Sequence, residues 1–379
     1  MKIAIVCGHF VPEMGYVEVH LANTFHKLGH TVKVITSNKK SLSAQQTVVN
    51  AKKEKADYDI VRLNSWFSYG QIVCANGIEK ELINFAPEKV IVIGLGKVFP
   101  KAVFKMKNRS FKLITLLGDN ENTYNSASKN LKRTLLQKLL KTPVYNWAIK
   151  KSDQLIGYTP STKASVNSFI SEELKQELTK KYSTTSLGFD EDEFYYSSEK
   201  REALRTELGI EKDELVMVTA TRVTAAKKLE KVIDTIETLV KKGKPFKYVL
   251  IGFSENEYSQ QLKDYISSKK LENTVLMLPF IDRKQMVNYY NMADVGLWSQ
   301  AAISIFEGLG TGLFLLLPQK SNVSHILTGE TGNYYAQNNL VETLETSFLT
   351  VLNTNRAKNA ADSKAQFSFN TIAKKLIEI

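Results

Sequence analysis

Short, nearly continuous apolar runs alternate along this chain with stretches of helical periodicity. In the first half the runs are Ile3 to Val6, Thr31 to Ile35, Ile60 to Leu63, Val90 to Ile93, Leu113 to Leu117 and Gln154 to Ile156. They lack the period-2 alternation of a half-exposed strand, which predicts strands covered on both faces of a parallel sheet. The second half repeats the pattern with Leu215 to Thr219, Tyr248 to Ile251, Val275 to Leu278, Val295 to Leu297 and Phe314 to Leu317. Two doubly wound, Rossmann-like α/β units in tandem are therefore expected. Helices are predicted from about Val17, closed by Gly29 with His30 as a capping residue, and over Lys227 to Val240; Cys74 is also read as helical.

The chain has 379 residues, too many for one ordinary core. Residues 186–200 carry Asp190, Glu191, Asp192, Glu193, Ser197, Ser198 and Glu199, a polar composition that reads as a linker. The expected domains are 1–187, 188–360 and a final helical segment, 361–379, that packs back on the first domain. A cleft faced by both domains is the expected place for chemistry, since strand carboxyl ends and helix amino ends would point into it. No solenoid-length repeat or low-complexity tract is present, and 39–57, rich in Lys, Ser, Gln and Ala, reads as a surface excursion.

Composition narrows the class. The hydrophobic share of 43% is that of a folded protein rather than a disordered one. The formal charge of +12 calls for an acidic partner. No nucleic-acid-binding motif accompanies that charge, so nucleic acid is not expected. Cys7 and Cys74 read as reduced thiols, with neither a disulfide nor a metal implied. The longest apolar region, Val295 to Pro318, is broken by Gln300, Glu307 and four glycines, unlike a transmembrane helix. A cytoplasmic protein is expected, with any membrane contact peripheral, on the inner face of the cell membrane.

The basic residues are concentrated. Lys89 to Gly118 contains no acidic residue but carries Lys97, Lys101, Lys105, Lys107, Arg109 and Lys112. The region Lys129 to Lys151, with a break expected at Pro143, sets Leu131, Leu135, Leu139 and Trp147 among Lys132, Arg133, Lys138, Lys141 and Lys150. Two readings stand: a helix against anionic headgroups, at about 1 kcal/mol per basic residue, or a solvated helix whose apolar stripe packs on its own sheet.

Candidate chemistry sits at strand ends. Arg222 and Lys227 follow the apolar run Leu215 to Ala220, where cations suit a phosphate group: Arg offers a planar fork and Lys a compact charge. Gly15, before the first helix, permits close approach of backbone to a ligand, or is only a turn glycine. His9 reads as structural more readily than as an acid-base group. Asp119 and Asn120, after the run ending at Leu117, form a candidate acceptor site; Asp119 either orients a hydroxyl or closes an Asx-turn. Ser304 is an N-cap, or it and Ile303 offer amides to a phosphate. Glu307 either serves the helix dipole or accepts from two sugar hydroxyls.

Taken in order, these pieces resemble the retaining glycosyltransferases of the GT-B fold, family 4 or "group 1". Pro12 to Gly15, Glu18-Val19-His20 and Gly29 to Val34 are similar to that family's opening segment, and Gly188-Phe189-Asp190 with Phe194 to its linker. Arg222 and Lys227 have the spacing of its diphosphate-gripping pair. Ala293-Asp294-Val295, Glu307 and Gly312 resemble its closing motif, and Phe367-Ser368-Phe369 the segment that crosses back. The resemblance implies catalytic roles for Arg222, Lys227 and Glu307, the last on the donor ribose. It implies donor binding by Gly15, Tyr16, Phe280, Ile281, Ile303 and Ser304. It also implies a UDP- or GDP-linked sugar donor, retention without a metal or other cofactor, and a glycan or polyprenyl-linked acceptor in bacterial surface-polysaccharide assembly.

Three positions depart from the family pattern. Ser299 stands where the first Glu of the Glu-x7-Glu motif would contact the donor sugar. Leu117-Gly118-Asp119 replaces the expected His, and Tyr16 replaces the second glycine of the opening pair. A non-catalytic homologue serving an active subunit and a nucleotide-sugar epimerase of similar fold are the competing readings.

Overall fold

The computed structural model describes residues 1–39, 56–69, 72–118, 142–168, 170–243, 245–320, 322–327, 329–336 and 339–379. Asp119, Asn120, the apolar positions Leu131, Leu135 and Leu139, and all but the ends of the 39–57 excursion lie outside them. The chain divides into two units: Met1–Leu187 with Ile372–Ile379, and Gly188–Thr371.

The first unit is built on a parallel sheet of β1 (Lys2–Val6), β2 (Thr31–Ser37), β3 (Asp59–Leu63), β6 (Lys89–Ile93), β7 (Lys112–Leu117), β8 (Gln154–Gly157) and β9 (Tyr182–Thr184), in the order β3-β2-β1-β6-β7-β8-β9. Ile3, Ala4, Ile5 and Val6 are all inaccessible to solvent, which is why β1 shows no alternation. Strand order reverses between β1 and β6, so the carboxyl ends of these two strands mark a switch point. A separate hairpin pairs β4 (Ser65–Tyr69) with β5 (Ile72–Ala75). Cys74 lies in β5, opposite Phe67, and not in a helix. The aromatic-rich partner strand supplies β-propensity that a short apolar run such as Ile72 to Ala75 does not reveal alone.

The basic run of this unit is partly spent on its own structure. Lys101 and Lys105 lie 5.4 and 4.4 Å from the ring centre of Trp147, and Arg109 pairs with Asp153 at 2.9 Å. Residues 142–151 are helical, and the segment preceding Pro143, on which the expected break depends, lies outside the described residues. Val144, Tyr145, Ala148 and Ile149 are buried against the sheet, so this described end of the stripe packs inward.

The second unit has a parallel sheet of β10 (Leu215–Ala220), β11 (Phe246–Phe253), β12 (Val275–Pro279), β13 (Val295–Leu297), β14 (Phe314–Pro318) and β15 (Gly332–Tyr335), ordered β12-β11-β10-β13-β14-β15. Its switch point lies between β10 and β13. The acidic stretch read as a linker is folded onto this unit: Phe189 and Phe194 are each 1% exposed. Gly310 makes that possible, because a Cβ there would stand 2.6 Å from the Phe189 ring and 2.8 Å from the Phe194 carbonyl oxygen.

The end of the chain is two helices, Arg356–Phe367 and Phe369–Glu378. Ser368 separates them in an extended conformation and bridges to Phe189; the Phe369 N–H donates to the Phe189 carbonyl at 2.9 Å. Only Ile372–Ile379 group with the first unit. There Ile372 and Leu376 are buried, and the Lys89 ammonium donates to the carbonyls of Leu376, at 3.3 Å, and Ile377. Lys112 donates to the Ile379 carbonyl, so two cations satisfy the carboxyl end of the last helix. Among the described residues no helix is long and apolar enough to cross a membrane.

Candidate functional site

β10 and β13 pair through Met217 with Val295 and Val218 with Gly296, so the segments that leave them emerge side by side. The segment after β10 carries Arg222 and Lys227. The segment after β13 runs through Trp298, Ser299 and Gln300 into the helix Ile303–Gly310, which carries Glu307.

Arg222 is exposed, and its neighbours are pinned. The Thr221 N–H donates to the Ile251 carbonyl at 2.9 Å, and Val223, 1% exposed, donates to the Gly252 carbonyl at 3.3 Å. Gly252 sits at φ +109°, and a Cβ there would fall 2.1 Å from the Thr221 carbonyl oxygen. This close crossing, absent from the sequence reading, sets the backbone from which Arg222 projects.

Lys227 lies in a single 3-10 turn, Ala225–Lys227, and the helix begins only at Glu230. Lys228 adopts a left-handed conformation (φ 51°) that interrupts the helix expected from Lys227 onward. Released from the helix, the Lys227 ammonium donates to the Gln300 side-chain oxygen at 2.9 Å. Burial, then the charges of Arg222 and Lys320, hold the Lys227 pKa below its ordinary value. The amino end of the helix Ile303–Gly310 has no side-chain cap: Ala302 occupies the N-cap position. Ser304 is not the cap. Its hydroxyl accepts the Trp298 indole N–H at 2.9 Å.

Glu307 is buried, and that burial pushes its pKa up to about 7, with Glu193 adding to the rise and Arg283 opposing it. Arg283 opens the helix Arg283–Met292, capped by Asp282, whose carboxylate accepts the Lys284 N–H at 2.8 Å. The Arg283 Nε stands 3.2 Å from a Glu307 oxygen, and a terminal guanidinium nitrogen stands 3.1 Å from Glu193. Neither Arg283 nor Glu193 was singled out from sequence, where Asp282-Arg283 looks like an ordinary helix start. Immediately upstream, Phe280 is 83% exposed at the end of β12 and Ile281 is buried.

Asp294 is a structural residue. Its carboxylate accepts the Val216 N–H at 2.8 Å and pairs with Arg201 at 2.5 Å and Arg205 at 3.4 Å. Beside it, half-buried Arg356 donates to the carbonyls of Asn291, Ala293, Tyr290 and Thr311 at 2.6 to 2.9 Å.

Gly15 and Tyr16 belong to the first unit. Tyr16 is the N-cap of the helix Val17–Lys27, extended at φ −85° and 44% exposed. At the switch point between β1 and β6 burial lowers His9 to about 4 and raises Glu18 to about 7, with Lys97 acting on both. His9 is therefore neutral at physiological pH.

Two Rossmann-like units in tandem are the GT-B fold of glycosyltransferases. Over the whole chain the fold is similar to sucrose-phosphate synthase from Thermosynechococcus elongatus (TM-score 0.69, 14% identity, 97% of that chain covered). It is similar to Anabaena HepE, solved with UDP (TM-score 0.70, 15% identity, 100% of this chain and 99% of that one) and with UDP-glucose. A third likeness is to WaaG, a glycosyltransferase involved in lipopolysaccharide biosynthesis (TM-score 0.67, 14% identity, 99% and 98% covered). Residues 200–366, within the second unit, match the family described as "Glycosyl transferases group 1". The alpha-monoglucosyldiacylglycerol synthase of Acholeplasma laidlawii is 28% identical over 100 residues, 26% of this chain and only 25% of that relative.

Proposed function

We propose that this protein transfers a sugar from a nucleotide-sugar donor to a glycan acceptor, with retention and without a metal. In this reading the second unit binds the donor and the first the acceptor. The observation that carries it is the convergence of Arg222 and Lys227 at the β10–β13 switch point, beside the segment that leads to Glu307.

The difficult step is departure of a nucleoside diphosphate from the anomeric carbon. The bridging oxygen takes the electron pair, and the sugar becomes oxocarbenium-like. A unit charge pair at about 4 Å is worth about 4 kcal/mol at an effective dielectric near 20. Arg222, Lys227 and the uncapped first turn at Ile303 and Ser304 would stabilise the developing charge. Glu307 would accept the ribose hydroxyls, with Phe280 and Ile281 near the base; Gly15 and Tyr16 are our proposed donor contacts on the first unit. Asp119 and Asn120 are our proposed acceptor contacts. The acceptor hydroxyl would attack from the face the leaving group vacates and give its proton to the departing diphosphate oxygen.

Similarity to proteins solved with UDP and UDP-glucose, and to a glycolipid synthase over a short segment, supports a UDP- or GDP-linked donor and a lipid-linked acceptor. The lysine-rich first unit supports work at an anionic membrane surface on the cytoplasmic side. The test is release of nucleoside diphosphate from a panel of UDP- and GDP-sugars by the purified chain. Turnover supports the transferase. Binding without turnover favours the non-catalytic partner, a reading that Ser299 keeps open. Interconversion of free sugar nucleotides would favour the epimerase.

A further inference from the structure

A cavity of about 590 Å³, within the size range of small-molecule sites, opens at the carboxyl ends of β10, β13, β14 and β15. Four lysines line it, Lys227, Lys228, Lys231 and Lys320, together with Ser299 and Gln300; among the described residues no Asp or Glu does. Lys227 is held by a neutral acceptor, the Gln300 amide oxygen, at 2.9 Å. Lys320 reaches toward the Ser299 carbonyl at 3.5 Å. Both thus converge on the 299–300 dipeptide, where a carboxylate side chain would have neutralised them. The field at Lys227 is that of uncompensated like charge, since Arg222 and Lys320 both disfavour its protonated form. Among the described residues none of Arg222, Lys227, Lys228, Lys231 and Lys320 makes an ion pair.

We infer that this cavity takes a sugar bearing an anionic substituent, a carboxylate or a phosphate, next to the donor diphosphate. The inference rests on the donor reading above. A diphosphate occupies Arg222 and Lys227, which leaves Lys228, Lys231 and Lys320 facing the cavity without a counter-charge. Neutral hexose hydroxyls supply none. An ionised substituent supplies it and turns each lysine contact into a charge-assisted hydrogen bond. Ser299 belongs to the same logic: a glutamate there would repel such a substituent.

Calorimetric titration of the full chain at low salt tests this with UDP, UDP-glucose and UDP-glucuronate, and with GDP, GDP-mannose and GDP-mannuronate. The expected result is a uronate bound at least about tenfold more tightly than its neutral counterpart, the ratio one charge-assisted contact gives. Lys231→Met with Lys320→Met should abolish that advantage and leave the affinity for nucleoside diphosphate within about twofold. Glucose 6-phosphate titrated with the diphosphate present reports whether the anion is instead a phosphate on a separate sugar; its binding should be lost in the same variant. Equal affinity for neutral and uronate donors, with no glucose 6-phosphate binding, would overturn the inference while leaving the diphosphate clamp intact. Failure to bind either nucleoside diphosphate removes both.

Discussion

Arg283 stands between two carboxylates, 3.2 Å from Glu307 and 3.1 Å from Glu193, and so works against protonation of the residue proposed to hold the donor ribose. Burial raises Glu307 and the guanidinium opposes that rise; burial wins, and the group titrates near neutrality at about 7.

This makes donor binding pH-dependent. Ribose hydroxyls donate to an ionised carboxylate, so only the deprotonated form gives two acceptor oxygens. Because the folded pKa is raised, nucleotide affinity should increase from pH 6 to pH 8 and level off above. Titration calorimetry across that range checks it, and Glu307→Gln should flatten the profile.

Removing the guanidinium should move that profile. In Arg283→Met the only opposition to the rise is gone, so Glu307 should stay protonated to higher pH. The midpoint of nucleotide binding is expected above 7, with weaker affinity at neutral pH. Arg283→Lys should recover part of the shift; a midpoint unchanged in the Met variant would show that Arg283 does not govern this group.

The proposed clamp has a plain expectation. Arg222→Ala or Lys227→Ala should each lower turnover by about 100-fold or more, as loss of one preorganised donor does elsewhere. Donor turnover measured against a folded-state control such as circular dichroism is the check, and wild-type rates in the double variant would end the assignment.

Gly252→Ala tests how Arg222 is held. The added methyl meets the Thr221 carbonyl at 2.1 Å and the residue must keep φ +109°, so the loop has to shift. A loss of about 1–3 kcal/mol is expected. Gly243, at φ +71° with nothing within 4 Å of a Cβ, should tolerate the same change better. Chemical denaturation compares them.

Arg356→Met should be destabilising by about 1–3 kcal/mol, the cost of depriving partly buried carbonyl acceptors of a donor. It removes one donor from four carbonyls of the second unit, of which Asn291 and Ala293 keep Arg201. A lowered unfolding midpoint with an unchanged denaturant slope is the expected signature.

The two α/β units are legible in the order of residues alone. Strands such as Ile3 to Val6 and Leu215 to Thr219 are buried on both faces, and continuous hydrophobicity is the direct imprint of that burial. It did not reveal β15, whose Gly332-Asn333-Tyr334-Tyr335 has too little apolar character, or the β4–β5 hairpin that holds Cys74. Nor did composition show that the acidic stretch around Phe189 folds onto the second unit, since its anchor is two buried aromatics and the absence of a side chain at Gly310. Arg222, Lys227 and Glu307 stood out as charged residues near strand ends. Their surroundings come from folding: Arg283 and Glu193 at Glu307, Gln300 at Lys227, Gly252 beneath Arg222, and a lysine-lined cavity beside Ser299. The physical reason is range. Burial pattern is written locally, residue by residue, whereas a pKa or a counter-charge depends on groups that meet only after strand order brings distant segments together.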